Sequence, residues 1–175
     1  MKGDSMTRSG LMMATAMAGV IASSASAQPG AMAMLKGQDG QDVGHVIISQ
    51  GSAGTLFHAE LSGLTPGWHS LHVHEVGSCE EGFEAAGDHY APDGNGHGQL
   101  AEDGAHAGDL PNIHAGSDGT AMAEFYSSRL TVAEGAAPLM DEDGSAIVIH
   151  ENADTYQTDA GAGGRVACGV ITQTK

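Results

Sequence analysis

The sequence predicts an all-β domain, an antiparallel β-sandwich or barrel of about eight strands. Short segments rich in β-branched and aromatic residues alternate with turn signals along most of the chain, and this pattern is typical of antiparallel strands. No stretch beyond residue 27 sustains the periodicity of an amphipathic helix. With 175 residues, 41% of them hydrophobic, the chain is long enough for one domain with a buried core.

Seven segments carry the strand pattern. They cover residues 42–49, 55–61, 68–75, 122–126, 130–132, 146–150 and 166–171. Turn signals such as Gln50-Gly51 and Thr65-Pro66-Gly67 separate the first three, because glycine and proline favour the backbone conformations of tight turns. Met32 and Met34 precede these segments, and we interpret them as the apolar entry to a first strand. Recruitment of Cu(I) by their thioethers is the alternative.

The strand pattern lapses between residues 77 and 120. A connection of this length inside a small domain is normally either functional or disordered. It contains Cys79, His89, His97, His106 and Asp109. A disulfide and a metal ion could therefore order it. A shorter glycine-rich connection at 154–164 precedes the last strand.

Residues 1–27 are predicted to be a cleaved signal peptide rather than part of the fold. Lys2 and Arg8 give the segment a weakly basic start, an apolar run follows at 11–22, and the segment ends on Ala25-Ser26-Ala27, small residues that signal peptidase accepts. The apolar run is shorter than the roughly 20 residues that span a bilayer, and a buried N-terminal helix is the alternative. We therefore expect an exported chain of residues 28–175, periplasmic or secreted, without membrane attachment.

The charge balance excludes two classes of partner. Six Lys and Arg against 22 Asp and Glu give a net charge of −16. This composition does not suit a nucleic-acid binder that works by neutralising phosphates. It also argues against docking on an anionic lipid surface.

The expected export affects how the two cysteines, Cys79 and Cys168, are interpreted. In an oxidising compartment they can pair and leave no free thiol. Two free buried thiols would be the favoured interpretation in a cytosolic protein. A disulfide is the better prediction for an exported one, and it would close a loop of about 90 residues, for which the chain-entropy model gives roughly 4–5 kcal/mol.

Histidines supply two candidate metal sites. His72 and His74 are two residues apart in a predicted strand, so their imidazoles project from the same face and suit Cu or Zn. A polar face of a strand is the alternative. The second set comes from the long connection, namely His89, His97, His106 and Asp109. Three imidazoles and a carboxylate make a closed four-coordinate site that suits structural Zn.

His150 ends the apolar segment Ile147-Val148-Ile149. A lone histidine in that position is usually a satisfied core residue. It becomes a candidate ligand only if the fold brings it to His72 and His74.

Five blocks of the sequence resemble the metal-site motifs of the copper/zinc superoxide dismutase family. They are WHSLHVHE at 68–75, GDHYAP at 87–92, HAGDLPN at 106–112, HENAD at 150–154 and GRVACGVI at 164–171. They occur in the family's order and are spread from residue 68 to residue 171, over most of the chain beyond residue 27. The DLPN sequence is similar to the bacterial branch in particular. The resemblance implies a Greek-key antiparallel β-barrel, a fold among the β-sandwiches.

The resemblance also implies a role for each matching residue, with one Cu and one Zn per chain. The implied copper ligands are His72, His74, His89 and His150. The implied zinc ligands are His89, His97, His106 and Asp109, with His89 bridging both metals. Arg165 matches the active-site Arg, Asp154 matches a carboxylate that hydrogen-bonds one copper and one zinc histidine (His72 and His97), and Cys79–Cys168 matches the intrachain disulfide.

The activity implied is superoxide dismutation through Cu(II)/Cu(I) cycling. A non-catalytic copper/zinc carrier or buffer on the same fold is the alternative, and carriers of this kind tend to lose a copper ligand, the bridging histidine or the arginine. This sequence keeps all of them. Resemblance to the bacterial branch is compatible with a homodimer.

Other residues invite interpretation. We expect His69 to pack behind the site, and the remaining histidines outside the blocks, His45, His58 and His114, to be surface or structural. Asp88 stands directly before His89, where the family usually has Gly or Pro. Its carboxylate either raises the basicity of His89 or points to solvent.

Overall fold

The structure is a computed structural model that describes residues 29–174, so the predicted signal peptide at 1–27 lies outside the described residues. Its strands are β1 (Pro29–Gly37), β2 (Asp42–Gln50), β3 (Thr55–Leu61), β4 (Gly67–His69), β5 (Leu71–His74), β6 (Ile113–Ala115), β7 (Ala121–Ser127), β8 (Ala146–His150) and β9 (Arg165–Gln173). A short 3-10 segment, Glu81–Ala86, lies between β5 and β6. The all-β prediction is confirmed.

Seven of the strands form one curled antiparallel sheet in the order β5-β8-β9-β1-β2-β3-β7. The other two, β4 and β6, form a small antiparallel sheet. Within the large sheet, alternate side chains point inward, as the burial of Thr55, Phe57, Ala59 and Leu61 in β3 illustrates. Phe57, Ala59 and Leu61 belong to one apolar core, where each large buried residue contributes about 1.5–3 kcal/mol.

Strands β5 and β8 are buried on both faces. Leu71 and Val73 on β5 and Ile149 on β8 face the main core. The alternate residues of β8, Ala146 and Val148, pack against a second apolar cluster with Phe83, Ala86 and Cys168. By the same alternation, the histidines of β5 lie on the face opposite the main core.

The long connection covers the free edge of β5. Val73 donates its N–H to the carbonyl of Gly108 (2.9 Å), and Tyr90 donates its N–H to the carbonyl of Val73 (2.9 Å). Gly108 is required at this contact, because a Cβ there would lie 2.4 Å from the carbonyl oxygen of Val73. Covering an edge strand in this way satisfies its backbone groups and places the metal-binding candidates against the barrel.

A disulfide joins Cys79, in the long connection, to Cys168 on β9, with 5.8 Å between the Cα atoms. The predicted pairing is confirmed. The described residues contain no helix with the length and hydropathy that a membrane span requires.

The structure corrects two of the strand predictions. Residues 68–75 form two strands rather than one, because the chain changes sheets at Ser70, whose N–H donates to the carbonyl of Asn152 (2.8 Å). Residues 130–132 form only an isolated bridge between Thr131 and Pro138. Leu130 and Val132 are buried there, so the apolar pattern reflects packing rather than strand pairing.

Strand β6 also lies inside the stretch that was predicted to lack strands. It has three residues and pairs only with β4. Such a short segment carries too little alternation for a strand to be recognised from sequence.

Candidate metal centre

Three of the candidate ligands come from β5 and β8. His72 and His74 stand two residues apart on β5, opposite Val148 and Ala146 of β8, and the structure brings His150, at the end of β8, beside them. A β-bulge between Ile149 and His150 re-aims the last residue of the strand, as bulges near active sites commonly do. The Nε2 atoms of His74 and His150 lie 3.3 Å apart.

His89 joins these three residues from the long connection. It forms an isolated antiparallel bridge with His74, and its ring centroid lies 4.0 Å from that of His72. One nitrogen from each member of the set His72, His74, His89 and His150 lies within 4.8 Å of all the others. We call this set the four-histidine group.

A second group surrounds the buried carboxylate of Asp109. It consists of His89, His97, His106 and Asp109, whose ligand atoms also lie within 4.8 Å of one another. Oδ1 of Asp109 lies 3.0 Å from Nδ1 of His89, 3.0 Å from Nδ1 of His97 and 3.3 Å from Nδ1 of His106. We call this set the three-histidine–aspartate group, and His89 belongs to both groups.

Asp154 links the two groups from behind. Its buried carboxylate lies 2.7 Å from Nε2 of His72 and 3.2 Å from Nε2 of His97. Because an ionised carboxylate only accepts hydrogen bonds, each Nε2 carries the proton and each Nδ1 is left as the lone-pair atom. The metal-binding tautomers of His72 and His97 are therefore fixed by one side chain.

The orientation of His74 is fixed by a backbone carbonyl. Its Nδ1 donates to the carbonyl of Gly87 (2.9 Å), which leaves Nε2 as the lone-pair atom that faces His150. Arg165 donates to the same carbonyl (2.8 Å) and to that of Phe83 (2.6 Å). At the start of β9, Arg165 pairs with His150 across the bulge, so the arginine is held beside the four-histidine group.

Burial favours the neutral form of four of the imidazoles. It lowers the pKa of His74 to about 2 and that of His150 to about 3, and it also lowers the pKa of His72 and His106. For Asp109, burial alone would raise the pKa. Hydrogen bonds from His89 and from the N–H of Gly98 outweigh burial and hold this pKa far below its usual range. Neutral imidazoles and an ionised carboxylate are the states in which these groups bind metal ions.

The donor atoms fit metal ions. Nδ1 of His72, the lone-pair atom of that ring, is buried without a hydrogen-bond partner among the described residues, and a buried polar atom in that state is costly. Three nitrogens crowded around one carboxylate oxygen are stabilised by a cation between them. Three imidazoles and a carboxylate suit Zn, and four imidazoles suit Cu. Which metal each group takes stays a prediction.

Acidification is expected to destabilise the metal-free protein between about pH 6.5 and 3. The folded chain keeps His74 and His150 neutral there, whereas the unfolded chain protonates them near their ordinary pKa of 6.5. Because the unfolded state binds more protons, the free energy of unfolding falls as the pH falls, by about 3–4 kcal/mol for these two residues between pH 7 and pH 5. Urea unfolding in the presence of EDTA at both pH values measures this loss. The double variant His74→Gln/His150→Gln should show a much flatter dependence, and a dependence as steep as that of the unmodified protein would contradict this explanation.

The other residues singled out from the sequence lie outside both groups. His69 is buried behind the site, 2.7 Å from the carbonyl of His150 and 2.8 Å from that of Thr65. His58 lies on the outer face of β3 between Glu60 and Glu124, and His114 packs edge-on against Trp68. These positions agree with the structural or surface roles that we expected.

Four further residues singled out from the sequence also lie outside both groups. His45 lies on β2, opposite Glu60 of β3. Asp88 is exposed, which favours the solvent-facing interpretation of its carboxylate. Met32 and Met34 lie in β1, as the first-strand interpretation expected. Sequence reasoning did not assign roles to Asn112 or to the carbonyl of Gly87, although Asn112 lies inside the DLPN block.

Comparison with known proteins identifies the family of this chain. The family profile described as copper/zinc superoxide dismutase (SODC) matches residues 43–171. The chain belongs to the copper/zinc superoxide dismutase family. A relative from Caulobacter vibrioides, named superoxide dismutase [Cu-Zn], is 47% identical over 147 residues, which cover 81% of this chain and 84% of that protein.

Two solved structures have a similar fold. The Cu/Zn superoxide dismutase from Brucella abortus is 31% identical with a TM-score of 0.66, and the match covers 81% of this chain and 98% of that one. A SOD-like protein from Bacillus subtilis is 34% identical with a TM-score of 0.76, and the match covers 79% of this chain and 96% of that one. Membership of the family implies copper and zinc as cofactors, in agreement with the chemistry of the two donor groups.

Proposed function

We propose that this protein is a superoxide dismutase, with copper held by His72, His74, His89 and His150 and zinc by His89, His97, His106 and Asp109. The observation that carries the proposal is the pair of four-residue groups that share His89, with Arg165 held beside the four-histidine group. The overall reaction converts two superoxide anions and two protons into oxygen and hydrogen peroxide. Copper, when bound, supplies the one-electron couple that this reaction needs, while zinc has no redox chemistry.

The residues of the chain have separate tasks in this proposal. His89 presents Nδ1 to Asp109, so its Nε2 is the nitrogen that serves the four-histidine group and carries a proton toward the peroxide product. Arg165 supplies a permanent positive charge and a planar set of donors that can orient a small anion. Asp154 keeps the rings of His72 and His97 in their binding orientation.

Arg165→Ala is expected to lower kcat/KM for superoxide by about 10- to 100-fold, because the variant loses the cation that attracts and orients the substrate. Arg165→Lys should retain part of the rate, since it keeps the charge without the planar geometry. Dismutation and metal content are measured together on residues 28–175 loaded with copper and zinc. Arg129→Ala, which removes an exposed arginine paired with Asp93, is the matched control and should keep full activity.

The same measurement separates the enzyme from a carrier. High activity with one Cu and one Zn per chain supports the dismutase. If both metals bind but dismutation is no faster than with free copper, the donor groups are right and the activity is wrong, and a metal carrier on the same fold becomes the better description.

Added salt is expected to leave the rate unchanged or to raise it. A depression of about 500 Å³ lies over His89, His97 and His106. The acidic residues Glu75, Asp88 and Asp159 line it, and no lysine or arginine of the described residues does. Long-range attraction of an anion is therefore weak, and salt mainly screens repulsion. We expect Asp159→Lys to raise kcat/KM about twofold or more at low ionic strength. A steep fall in the rate of the unmodified enzyme with added salt would contradict this electrostatic picture.

We also infer export to the periplasm or beyond. The signal-peptide pattern at 1–27 and a disulfide that needs an oxidising compartment support this inference. The homodimer compatible with the bacterial branch stays a prediction, which sedimentation of the purified chain would test.

A further inference from the structure

Tyr156 follows Asp154 by two residues in the connection between β8 and β9, and it hydrogen-bonds to Asp154 and to two residues of the long connection. Its N–H donates to Oδ1 of Asp154 (2.7 Å). Its hydroxyl accepts a hydrogen bond from the N–H of Asn112 (2.8 Å). Its carbonyl accepts a hydrogen bond from the N–H of Leu100 (2.8 Å).

Asn112, whose N–H donates to Tyr156, also hydrogen-bonds to Asp154. Its side-chain amide pairs with the main chain of Asp154, accepting from the N–H (2.8 Å) and donating to the carbonyl (2.9 Å). Asp154, Asn112 and Tyr156 therefore form a closed ring of hydrogen bonds that fixes both the main chain and the carboxylate of Asp154. We call these residues the Asp154 ring.

Tyr156 also connects the ring to the three-histidine–aspartate group. Gly98 packs directly on the main chain of Tyr156, since a Cβ at Gly98 would lie 2.8 Å from its carbonyl oxygen. The N–H of Gly98 donates to Oδ2 of Asp109 (2.9 Å). Tyr156 itself has a φ of +64°, a conformation that residues other than glycine seldom adopt and that surrounding contacts must hold in place.

We propose that Tyr156 is a positioning residue for both metal groups, acting through Asp154. By holding Asn112 and the main chain of Asp154, it keeps the two carboxylate oxygens on His72 and His97. This inference rests on the proposed function, because it takes the two groups to be metal sites. We therefore expect the hydroxyl of Tyr156 to affect metal affinity, although it belongs to neither group.

The test is a double-mutant cycle on zinc affinity, measured by chelator competition with the copper-free chain of residues 28–175. Tyr156→Phe removes the hydroxyl alone and is expected to weaken zinc binding about tenfold, and Asp154→Asn by about 10- to 100-fold. The double variant should bind zinc no more weakly than Asp154→Asn, because the two side chains act through one path. The absorption spectrum of Co(II) bound in place of zinc should change in Tyr156→Phe, which a purely structural role would not require.

Tyr126→Phe is the matched control, since Tyr126 is 55% exposed on β7 and lies outside the ring. Its zinc affinity and Co(II) spectrum should equal those of the unmodified protein. Unchanged affinity in Tyr156→Phe, or additive losses in the double variant, would overturn the proposal.

A second measurement covers the case in which Tyr156→Phe fails to fold. In the unmodified metal-free protein, the amide hydrogens of Asn112 and Tyr156 should exchange about as slowly as those of β8, and fast exchange of either would overturn the proposal. Superoxide dismutation is measured separately, on the unmodified protein loaded with copper and zinc. A protein that shows the coupling but does not dismutate superoxide supports the role of Tyr156 and contradicts the proposed function alone.

Discussion

His150→Gln is expected to lower superoxide dismutation by more than about 100-fold while one zinc ion per chain is retained. Loss of a residue that only supports a ligand costs 10- to 100-fold in metal affinity or activity, and loss of a ligand should cost more. His150 belongs to the four-histidine group and not to the group around Asp109. Its removal should therefore affect copper and spare zinc. Metal analysis of the purified variant, together with its dismutation rate, measures both effects.

His106→Gln is the matched variant, because His106 belongs only to the group around Asp109. We expect this variant to lose zinc and to keep copper. The long connection should then exchange its amide hydrogens faster, since we expect zinc bound at this group to help to order it. Loss of zinc from His150→Gln, or loss of copper from His106→Gln with zinc retained, would reverse the assignment of metals to groups.

Replacing both cysteines by serine is expected to lower the free energy of unfolding by about 4 kcal/mol. Cys79 and Cys168 are separated by 89 residues, and a cross-link over a chain of that length restricts the unfolded state strongly. Urea unfolding of the metal-free variant and of the metal-free unmodified protein measures the difference. Reduction of the unmodified protein with dithiothreitol should reproduce the result without any change of sequence.

The same variant should also lose activity, for a local reason. The disulfide fixes the segment that carries Phe83 and Gly87, whose carbonyls hold the guanidinium of Arg165. Without the cross-link, these two carbonyls are no longer held in place, so Arg165 loses fixed acceptors. His74 donates to the same carbonyl of Gly87 and therefore loses its fixed orientation as well. A change in the free energy of unfolding below about 1 kcal/mol would contradict a stabilising role for the cross-link, and full activity would contradict this coupling.

Some strands could be predicted from the sequence because their buried and exposed positions follow a pattern within the strand itself. The bounds of β3 and β8 match the predicted segments, and β2 differs by one residue. Inward and outward side chains alternate in β3, while β8 is an apolar run buried on both faces. Both patterns are local, so they are visible without knowing which strands are neighbours.

The errors in the strand prediction come from non-local contacts. The break at Ser70 arises because β4 pairs with β6 and β5 with β8, and no local property of the sequence at 68–75 marks that change. Thr131 and its neighbours have the composition of a strand, but the fold offers them no strand partner beyond the bridge to Pro138.

For the site, the sequence by itself determined which side chains carry chemistry: two histidines at strand spacing, three histidines and an aspartate in one connection, and the blocks that resemble a known family. Only the tertiary structure decided how they meet. His150 comes to His72 and His74 because β8 pairs with β5, and His89 enters both groups because the long connection lies along the free edge of β5. Asp154, Asn112 and Tyr156 become one ring only through hydrogen bonds between segments more than 40 residues apart. Residue identity sets the donors and acceptors that are available, but strand pairing and loop packing set the distances between them.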